Sequence, residues 1–203
     1  MRKLIFATGN EGKLREIRAI LSDLGFEVLS MKEAGVHADI EETGTTFLEN
    51  ALIKARIVCR ETGEITMADD SGLVVDALDG MPGIYSARWL GEDTSYRVKN
   101  AEIIRRLSGV PEEKRTARFM CAAACVFPDG RELTSVQSFE GRIAHEEHGV
   151  NGFGYDPIFY LPDRDCTSAE LTPEEKNAVS HRGKALRDMK RKLEELSAQG
   201  ELS

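Results

Sequence analysis

Two adjacent carboxylates, Asp69 and Asp70, are the residues of this sequence best suited by type and spacing to chemistry. They follow the apolar run of residues 65–68 and stand just before Gly72, after which residues 73–75 are apolar again. The pattern predicts a short buried strand that ends at the acidic pair. Because buried unpaired carboxylates are costly or become protonated, we expect the pair to hold a cation, to act as a base, or to be solvated in a turn.

A second acidic pair, Glu41 and Glu42, lies in the loop that is predicted for residues 32–45. Mg²⁺ prefers oxygen ligands and commonly uses one or two carboxylates together with phosphate oxygens of a substrate. Two acidic pairs on separate loops could therefore meet around one ion. Two solvated acidic turns are the alternative, and spacing alone does not exclude them.

Residues 8–13, with the sequence Thr-Gly-Asn-Glu-Gly-Lys, lie between a predicted strand and a predicted helix. Backbone N–H groups at a helix start, with glycines that permit close approach and a lysine nearby, suit a phosphate. The Walker A pattern is not met, because the glycine spacing is too short and Leu14 stands where Ser or Thr should follow Lys13. An ordinary strand-to-helix turn is the alternative.

Residues 152–157, with the sequence Gly-Phe-Gly-Tyr-Asp-Pro, place glycines around aromatic side chains. Such a segment suits a surface on which a flat ring can stack. A bulged strand with core aromatics is the alternative.

A group of donors, Lys176, His181, Arg182 and Lys184, surrounds a predicted helix start near residue 180. The helix dipole favours anions at such a position. A solvated charged face is the alternative. His145 and His148 have no accompanying ligand pattern, and we interpret both as surface residues.

The elements that position these residues are predicted from hydrophobic periodicity and turn signals. Strands over residues 4–7 and 26–31 flank a helix whose apolar face ends before Gly25, an arrangement that favours parallel pairing and an α/β fold. The other predicted elements are a helix from a capping box at residues 46–49 to Gly63, a helix over 94–107, strands over 117–127 and 132–143 around a turn at 128–130, a short helix capped by Thr172, and a helix over 180–196.

The composition indicates a soluble globular protein. A chain of 203 residues suits one domain, or one domain with two lobes. A formal net charge of -8 argues against broad binding to nucleic acid, although a local cluster of donors with a divalent metal could still bind a small polyphosphate.

Segments that would direct the chain to a membrane or out of the cell are not predicted. No apolar run approaches the roughly 18 residues that a membrane span needs, and the apolar run after Lys3 is too short for a signal peptide. The four cysteines form no CxxC pair and are expected to be reduced thiols. We expect a cytoplasmic protein with neither a nucleic-acid nor a membrane partner.

Taken together and in this order, the motifs resemble those of the inosine triphosphate pyrophosphatase family, enzymes that remove non-canonical purine nucleoside triphosphates. Any one match would be weak, whereas the ordered set is highly specific and extends from residue 7 to residue 187. The matching segments are residues 7–10 with Lys13, 41–44, 68–73, 82–88, 152–159, 169–171, 175–177 and 180–183.

The resemblance implies an α/β fold in which an elongated mixed β-sheet is flanked by helices. It also implies a single domain over residues 1–203 with two lobes, the active site in the cleft between them, and a homodimer. The implied reaction is Mg²⁺-dependent hydrolysis of a purine nucleoside triphosphate (ITP, dITP or XTP) to the nucleoside monophosphate and pyrophosphate.

Carried over by position, the family's site residues assign Mg²⁺ to Glu41 and Asp70, and Asp70 would also be the catalytic proton acceptor. A donor such as the Arg182 guanidinium would pair with the 6-oxo group of the base, which adenine lacks. The implied substrate contacts are Thr8, Gly9, Asn10, Glu11, Gly12, Lys13, Ser71, Phe153, Gly154, Tyr155, Asp156, Lys176, His181 and Arg182.

Two other functions are compatible with the same residues. A phosphatase that cleaves the β–γ bond would use the same metal but release orthophosphate. A nucleotide-sensing module would bind without turnover, although adjacent carboxylates disfavour it, since pure phosphate binding gains nothing from added negative charge.

Overall fold

The computed structural model describes residues 2–201 and has a mixed α/β fold, which confirms the predicted class. Within this range the strands form one sheet in the order β2-β1-β3-β4-β5-β6-β7. The strands are β1 (Arg2–Phe6), β2 (Phe26–Ser30), β3 (Ile65–Val75), β4 (Thr116–Val126), β5 (Glu132–Ile143), β6 (Phe159–Leu161) and β7 (Cys166–Thr167). The α-helices are α1 (Glu11–Leu21), α2 (Phe47–Thr62), α3 (Tyr96–Arg106), α4 (Pro173–Val179) and α5 (His181–Ala198).

The chain opens with the predicted β-α-β unit. Strand β1 pairs in parallel with both β2 and β3, and α1 is the crossover between β1 and β2. Parallel neighbours require such a crossover, because a tight turn cannot return the chain to the same end of the sheet. The buried face of α1 consists of Leu14, Ile17 and Leu21, at the predicted helical spacing.

Helix α2 begins and ends where its sequence signals place it. The Thr46 side chain accepts from the backbone N–H of Glu49 while the Glu49 side chain accepts from the Thr46 N–H, so the predicted capping box is confirmed. Gly63 ends the helix in the left-handed conformation, with φ 70°.

The strand that carries the acidic pair is longer than predicted. We expected it to end at Asp69 and Asp70, but β3 continues to Val75 and both carboxylates lie in its middle. Both side chains are buried, so the solvated-turn alternative is wrong as well. The apolar residues after Gly72 continue the same strand, and this continuity is what the short-strand interpretation missed.

The segment before β6 also differs from one of the alternatives. Residues 150–155 form turns and bends rather than a bulged strand, and the strand begins only at Phe159. The Phe153 side chain is 45% exposed, whereas Tyr155 is buried. The predicted β4–β5 hairpin is confirmed, with Gly130 N–H donating to the Phe127 carbonyl in its turn.

The chain forms two compact units. The first unit contains the residues up to Asp70, Cys121–Gln137 and the residues from Arg182 onward, and the second contains Ser71–Met120 and Ser138–His181. The first unit has two apolar clusters, one that includes residues of α1 and α5 and one that includes residues of α2. The second unit has an apolar cluster that includes Ile103 and Phe159. That residues 1–203 form a single domain stays a prediction. Residues 1, 202 and 203 of that predicted domain lie outside the described residues.

No helix within residues 2–201 is long and apolar enough to cross a membrane. All four cysteines are free thiols.

Candidate active site

Asp69 and Asp70 are neighbours in sequence but face opposite sides of β3. Side chains alternate along a strand, so each side chain of the pair lies on a different face of the sheet. Met67 and Asp69 share the face that is covered by α1 and α5, whereas Ala68 and Asp70 share the face that is covered by α2. The two carboxylates therefore meet different partners, and their chemistry differs.

Asp69 is a fully charged, internally paired carboxylate. Lys13 Nζ lies 3.0 Å from each of its oxygens, and Arg182 Nε donates to Oδ2 at 3.2 Å. The side chain is only 1% exposed, and the Cys121 thiol donates to it at 3.9 Å. Burial raises the pKa of Asp69, but the charges of Lys13 and Arg182 lower it by more, so that the net pKa is far below its usual value.

The pKa of Asp70 is shifted in the opposite direction. Asn50 Nδ2 donates to its Oδ2 at 3.0 Å, and the residue is 7% exposed. Burial and the negative charge of Glu42 raise the pKa of Asp70. The positive charge of Lys54 and the hydrogen bond from Asn50 lower it, but by less, so the net pKa is raised. A carboxylate whose pKa is raised in this way is a stronger base than an ordinary one. A nearby cation would stabilise its ionised form.

The second acidic pair also divides into two different residues. Glu41 is exposed, while Glu42 is half-buried and accepts from Lys54 Nζ at 2.6 Å. The negative charge of Glu42 contributes to the raised pKa of Asp70. The loop thus supplies the acidic side chain of this pair, Glu42, and helix α2 supplies the basic one, Lys54.

Two of these groups, Asn50 and Lys54, were missed in the sequence. They lie four residues apart on α2 and therefore on the same side of that helix. Asn50 is completely buried, and a polar residue beside the apolar positions Ala51 and Ala55 was the signal that could have identified it.

The carboxylates fit a magnesium ion better than a metal held entirely by protein side chains. Across residues 2–201, no group of three or more His, Cys, Asp and Glu side chains could hold a metal ion. Mg²⁺ does not require one, since it commonly takes one or two carboxylates and completes its shell with phosphate oxygens and water. Asp70, with Glu41 or Glu42, supplies this hard oxygen chemistry at a position where added positive charge is favourable.

Residues 8–10 connect β1 to α1, and residues 11–13 are the first turn of α1. Asn10 is the N-cap of α1, and its Oδ1 accepts from the backbone N–H groups of Gly12 and Lys13 at 2.9 and 3.2 Å. The N–H of Asn10 donates to Thr8 Oγ1, and Gly9, Asn10 and Glu11 are exposed. The segment is a capped helix start with an open surface, which agrees with both the phosphate and the plain-turn interpretations.

Arg182, near the start of α5, does not lie on a solvated face. It is 4% exposed, and its Nη1 donates to Glu16 Oε2 at 2.9 Å in addition to the Asp69 bond. Burial lowers the pKa of Arg182, but Asp69 and Glu16 raise it by more, so the guanidinium stays charged. Glu16, which lies three residues after Lys13 on α1, is a further member of the cluster that sequence reasoning missed.

In the second unit, Asp156 gathers three groups around one buried carboxylate. Its Oδ2 accepts from Lys176 Nζ at 2.5 Å and from the Phe153 N–H at 2.8 Å, and its Oδ1 accepts from Ser168 Oγ at 2.7 Å. Lys176 Nζ also lies 4.8 Å from the centroid of the Phe153 ring, a cation–π distance. Three predicted substrate contacts, Phe153, Asp156 and Lys176, thus belong to one cluster.

The remaining predicted contacts are also in the second unit. Tyr155 is buried, and its hydroxyl donates to the Ser86 carbonyl at 2.7 Å. Burial raises the pKa of Tyr155, so the phenol stays protonated. His181 is 6% exposed and its ring stacks on Phe119 at 5.0 Å, which contradicts a solvated face. Ser71 follows Asp70 directly along β3.

Comparisons with known proteins agree with the resemblance seen in the motifs. The model of the Ham1 family matches residues 4–192. A dITP/XTP pyrophosphatase of Vibrio parahaemolyticus is 50% identical over 98% of this chain and 100% of its own length. One from Bacillus licheniformis is 48% identical over 96% of this chain and 100% of its own length.

Solved structures give the same result for the fold. A HAM1 protein from Coxiella burnetii superposes with a TM-score of 0.90 at 42% identity, covering 96% of this chain and 100% of that one. The dITP/XTP pyrophosphatase of Mycobacterium abscessus has a TM-score of 0.77 at 45% identity, over 92% of this chain and 98% of that one.

Proposed function

This chain belongs to the Ham1 family, and we propose that it is a Mg²⁺-dependent nucleoside triphosphate pyrophosphatase. Its substrates would be the non-canonical purine nucleotides ITP, dITP and XTP, and its products the nucleoside monophosphate and pyrophosphate. The observation that carries the proposal is the contrast between Asp69 and Asp70. Asp69 is paired with the buried cations Lys13 and Arg182, whereas Asp70 accepts a hydrogen bond from the neutral Asn50 amide and has a raised pKa, which suits a proton acceptor.

Asp70 accepts a proton from the water that attacks the α-phosphorus. As the new oxygen–phosphorus bond forms, the bond from the α-phosphorus to the α–β bridging oxygen breaks, and pyrophosphate leaves with that oxygen. The raised pKa of Asp70 makes this transfer more favourable than it would be for a solvated carboxylate. Asn50 holds the carboxylate in place through its hydrogen bond to Oδ2.

Glu41 and Asp70 would hold Mg²⁺, with Glu42 placed to adjust the local charge. When bound, the ion would supply positive charge that stabilises the phosphate oxygens. Lys13 adds a second positive charge, and its ammonium would exchange part of its Asp69 contact for the phosphate chain. The exposed residues 9–11 at the capped start of α1 would face the same anion.

The base is assigned to the cluster around Asp156. The partly exposed Phe153 ring offers a stacking surface, and Lys176 adds a cation beside it. A donor such as the Arg182 guanidinium or a backbone N–H group would pair with a 6-oxo group and leave the 6-amino group of adenine without a partner, a mismatch that discriminates strongly. His181 and Ser71 complete the proposed contacts.

A panel of nucleoside triphosphates with Mg²⁺, with both pyrophosphate and orthophosphate measured, tests the proposal. We expect pyrophosphate from ITP, dITP and XTP and much slower turnover of ATP and GTP. Release of orthophosphate would assign the chain to the β–γ phosphatases. Tight nucleotide binding without either product would assign it to nucleotide-sensing proteins.

We also propose that the protein is cytoplasmic, as its sequence features predict, and a homodimer, as the family resemblance implies. Light scattering coupled to gel filtration measures the mass directly, and a mass near 22.5 kDa, that of one chain, would contradict the dimer.

A further inference from the structure

One face of α3 packs against the segment that the proposed function assigns to the base. Tyr96, Lys99 and Asn100 occupy positions i, i+3 and i+4 of this helix and therefore share a face. Lys99 and Asn100 are each only 1% exposed, although both side chains are polar. Neither the motifs nor the proposed mechanism uses these residues.

The ammonium group of Lys99 is buried within the second unit, to which α3 itself belongs. Its Nζ lies 2.5 Å from the carbonyl oxygen of Ala87 and 5.0 Å from the centroid of the Tyr96 ring. The charge is thus stabilised by a backbone dipole and by the negative face of an aromatic ring. Burial of an ammonium is costly, so its retention points to a requirement that an apolar side chain would not meet.

The Tyr96 ring also contacts residues 153–156, the segment that the proposed function assigns to the base. Tyr96 and Tyr155 meet edge to face, with centroids 5.2 Å apart and an interplanar angle of 89°. Because the Tyr155 hydroxyl donates to the carbonyl of Ser86, the neighbour of Ala87, the contacts close into a ring. Four side-chain contacts therefore fix Tyr155 relative to residues 86–87.

Residues 86–87 are themselves tied to the strand that carries the proposed catalytic residue. Ser86 Oγ accepts from the Leu73 N–H of β3 at 2.9 Å and donates to the Gly83 carbonyl at 2.6 Å. Leu73 lies two residues after Ser71, another proposed substrate contact.

Asn100 holds the adjacent part of the segment. Its Nδ2 donates to Glu147 Oε1 at 2.8 Å and lies 3.4 Å from the Gly154 carbonyl oxygen. Gly154 has φ 70°, a backbone conformation that glycine adopts readily and other residues rarely do. The α3 face thus contacts two consecutive residues of the segment, Gly154 and Tyr155.

We infer that Tyr96, Lys99 and Asn100 are positioning residues that set the conformation of residues 153–156 and hence the fit of the purine base. The inference rests on the proposed function, because that function assigns residues 153–156 to the base. These residues act through Gly154 and Tyr155, without touching the substrate themselves.

The test compares Lys99→Met with Arg105→Met in the full-length protein. Both replace a cation of α3 by an apolar chain of similar length, but Arg105 is exposed and pairs with Glu102 on the same helix. The measurements are kcat and KM for ITP, the inhibition constant of pyrophosphate, and the midpoint of thermal unfolding. Lys99→Arg, which keeps a cation, is the rescue variant.

We expect Lys99→Met to raise KM for ITP by about tenfold. This is the effect of losing one desolvated cation–π contact and, with it, the fixed positions of Tyr96 and Tyr155. The inhibition constant of pyrophosphate should stay within about twofold, since the phosphate end is untouched. Arg105→Met should match the wild type, and Lys99→Arg should recover much of the affinity.

A lowered unfolding midpoint with the KM of the wild type would show a merely structural role and overturn the inference. Equal rises in KM for ITP and in the pyrophosphate constant would overturn it as well. If Lys99→Met does not fold, Tyr96→Leu decides in its place, because Tyr96 is 37% exposed and its loss removes the Tyr155 contact. Failure of the wild type to release pyrophosphate from ITP would instead overturn the proposed function, and this inference with it.

Discussion

Adjacent residues on a strand can carry the same functional group and yet perform different chemistry. Asp69 faces Lys13 and Arg182, and these cations keep its carboxylate ionised. Asp70, one residue later, accepts a hydrogen bond from Asn50 and lies near the Glu42–Lys54 pair, and burial raises its pKa. The alternation of the strand thus separates a charge-balancing carboxylate from one with the properties of a base.

Replacement of Asp70 by Asn should remove activity without loss of stability. The amide keeps the shape but cannot accept the proton, so we expect kcat for ITP to fall roughly 10²–10⁴-fold. Since burial raises the pKa of Asp70, its charged form is unfavourable in the fold, and Asn should not lower the free energy of unfolding at pH 7. Asp163→Asn, at an exposed position, is the matched control. Unchanged kcat in Asp70→Asn would remove Asp70 from the reaction.

Replacement of Asp69 by Asn should have the complementary effect on stability. It leaves Lys13 and Arg182 without the carboxylate that pairs with both. The loss of one partner from a buried ion pair costs about 3–5 kcal/mol, and urea unfolding at pH 7 measures it. A change below about 1 kcal/mol, the ordinary range of a surface substitution, would show that the network contributes little.

The pH dependence of that difference follows from the direction of the pKa shift. The folded-state pKa of Asp69 is depressed, so its stabilising contribution is present above the unfolded pKa of about 4 and is lost as the pH falls toward the folded value. The difference between wild type and Asp69→Asn should shrink by about 1.4 kcal/mol per pH unit below pH 4. A difference that is constant from pH 7 to pH 3 would contradict the assignment.

At the scale of elements, the entry into α2 positions the proposed catalytic carboxylate. Asn50 accepts from the Gly44 N–H at 2.8 Å through Oδ1 and donates to Asp70 through Nδ2. The amide of one side chain therefore joins the loop before α2 to β3. A Cβ at Gly44 would lie 2.6 Å from Asn50 Oδ1 and 2.7 Å from Glu49 Cβ, so only glycine fits there.

Gly44→Ala should therefore lower activity more than stability alone explains. Displacement of Asn50 misplaces Asp70, and a shift of about 1 Å in a catalytic group can cost roughly 10²-fold in kcat. Thr46→Ala provides the comparison, because it removes the α2 cap at a cost of about 1 kcal/mol but leaves the Asn50 bonds intact. Equal kcat values for the two variants would separate the loop from catalysis.

At the scale of the whole molecule, the proposed contacts are distributed over both compact units. Residues 8–13, Glu41, Asp70 and Arg182 belong to the first, whereas Ser71, residues 153–156, Lys176 and His181 belong to the second. A ligand that binds only the folded protein raises the free energy of unfolding, whichever unit supplies its contacts.

Binding of a non-hydrolysable ITP analogue with Mg²⁺ should therefore raise the free energy of unfolding. At a free concentration of 100 times Kd the increase is about 2.7 kcal/mol, and chemical denaturation with and without the analogue measures it. Chelation of Mg²⁺ should reduce the increase, and the ATP analogue at the same concentration should give a smaller one. An increase that is unaffected by chelation would contradict the metal assignment.

Much of this protein follows from local sequence. The β1-α1-β2 unit, the capped helix α2, the β4–β5 hairpin and the start of α5 were predicted correctly, because periodicity, caps and turn residues act over a few positions. The family was also evident, since ordered motifs over nearly the whole chain leave few alternatives.

The partners of the acidic pair were decided by tertiary structure. Asp69 meets Lys13 from 56 positions away and Arg182 from 113 positions away, while Asp70 meets Asn50 from 20 positions away. Sequence alone presented two equivalent carboxylates at the end of a strand. Their different pKa directions depend on which face of the sheet each occupies and on which helix covers that face, and both are properties of long-range packing that no local pattern encodes.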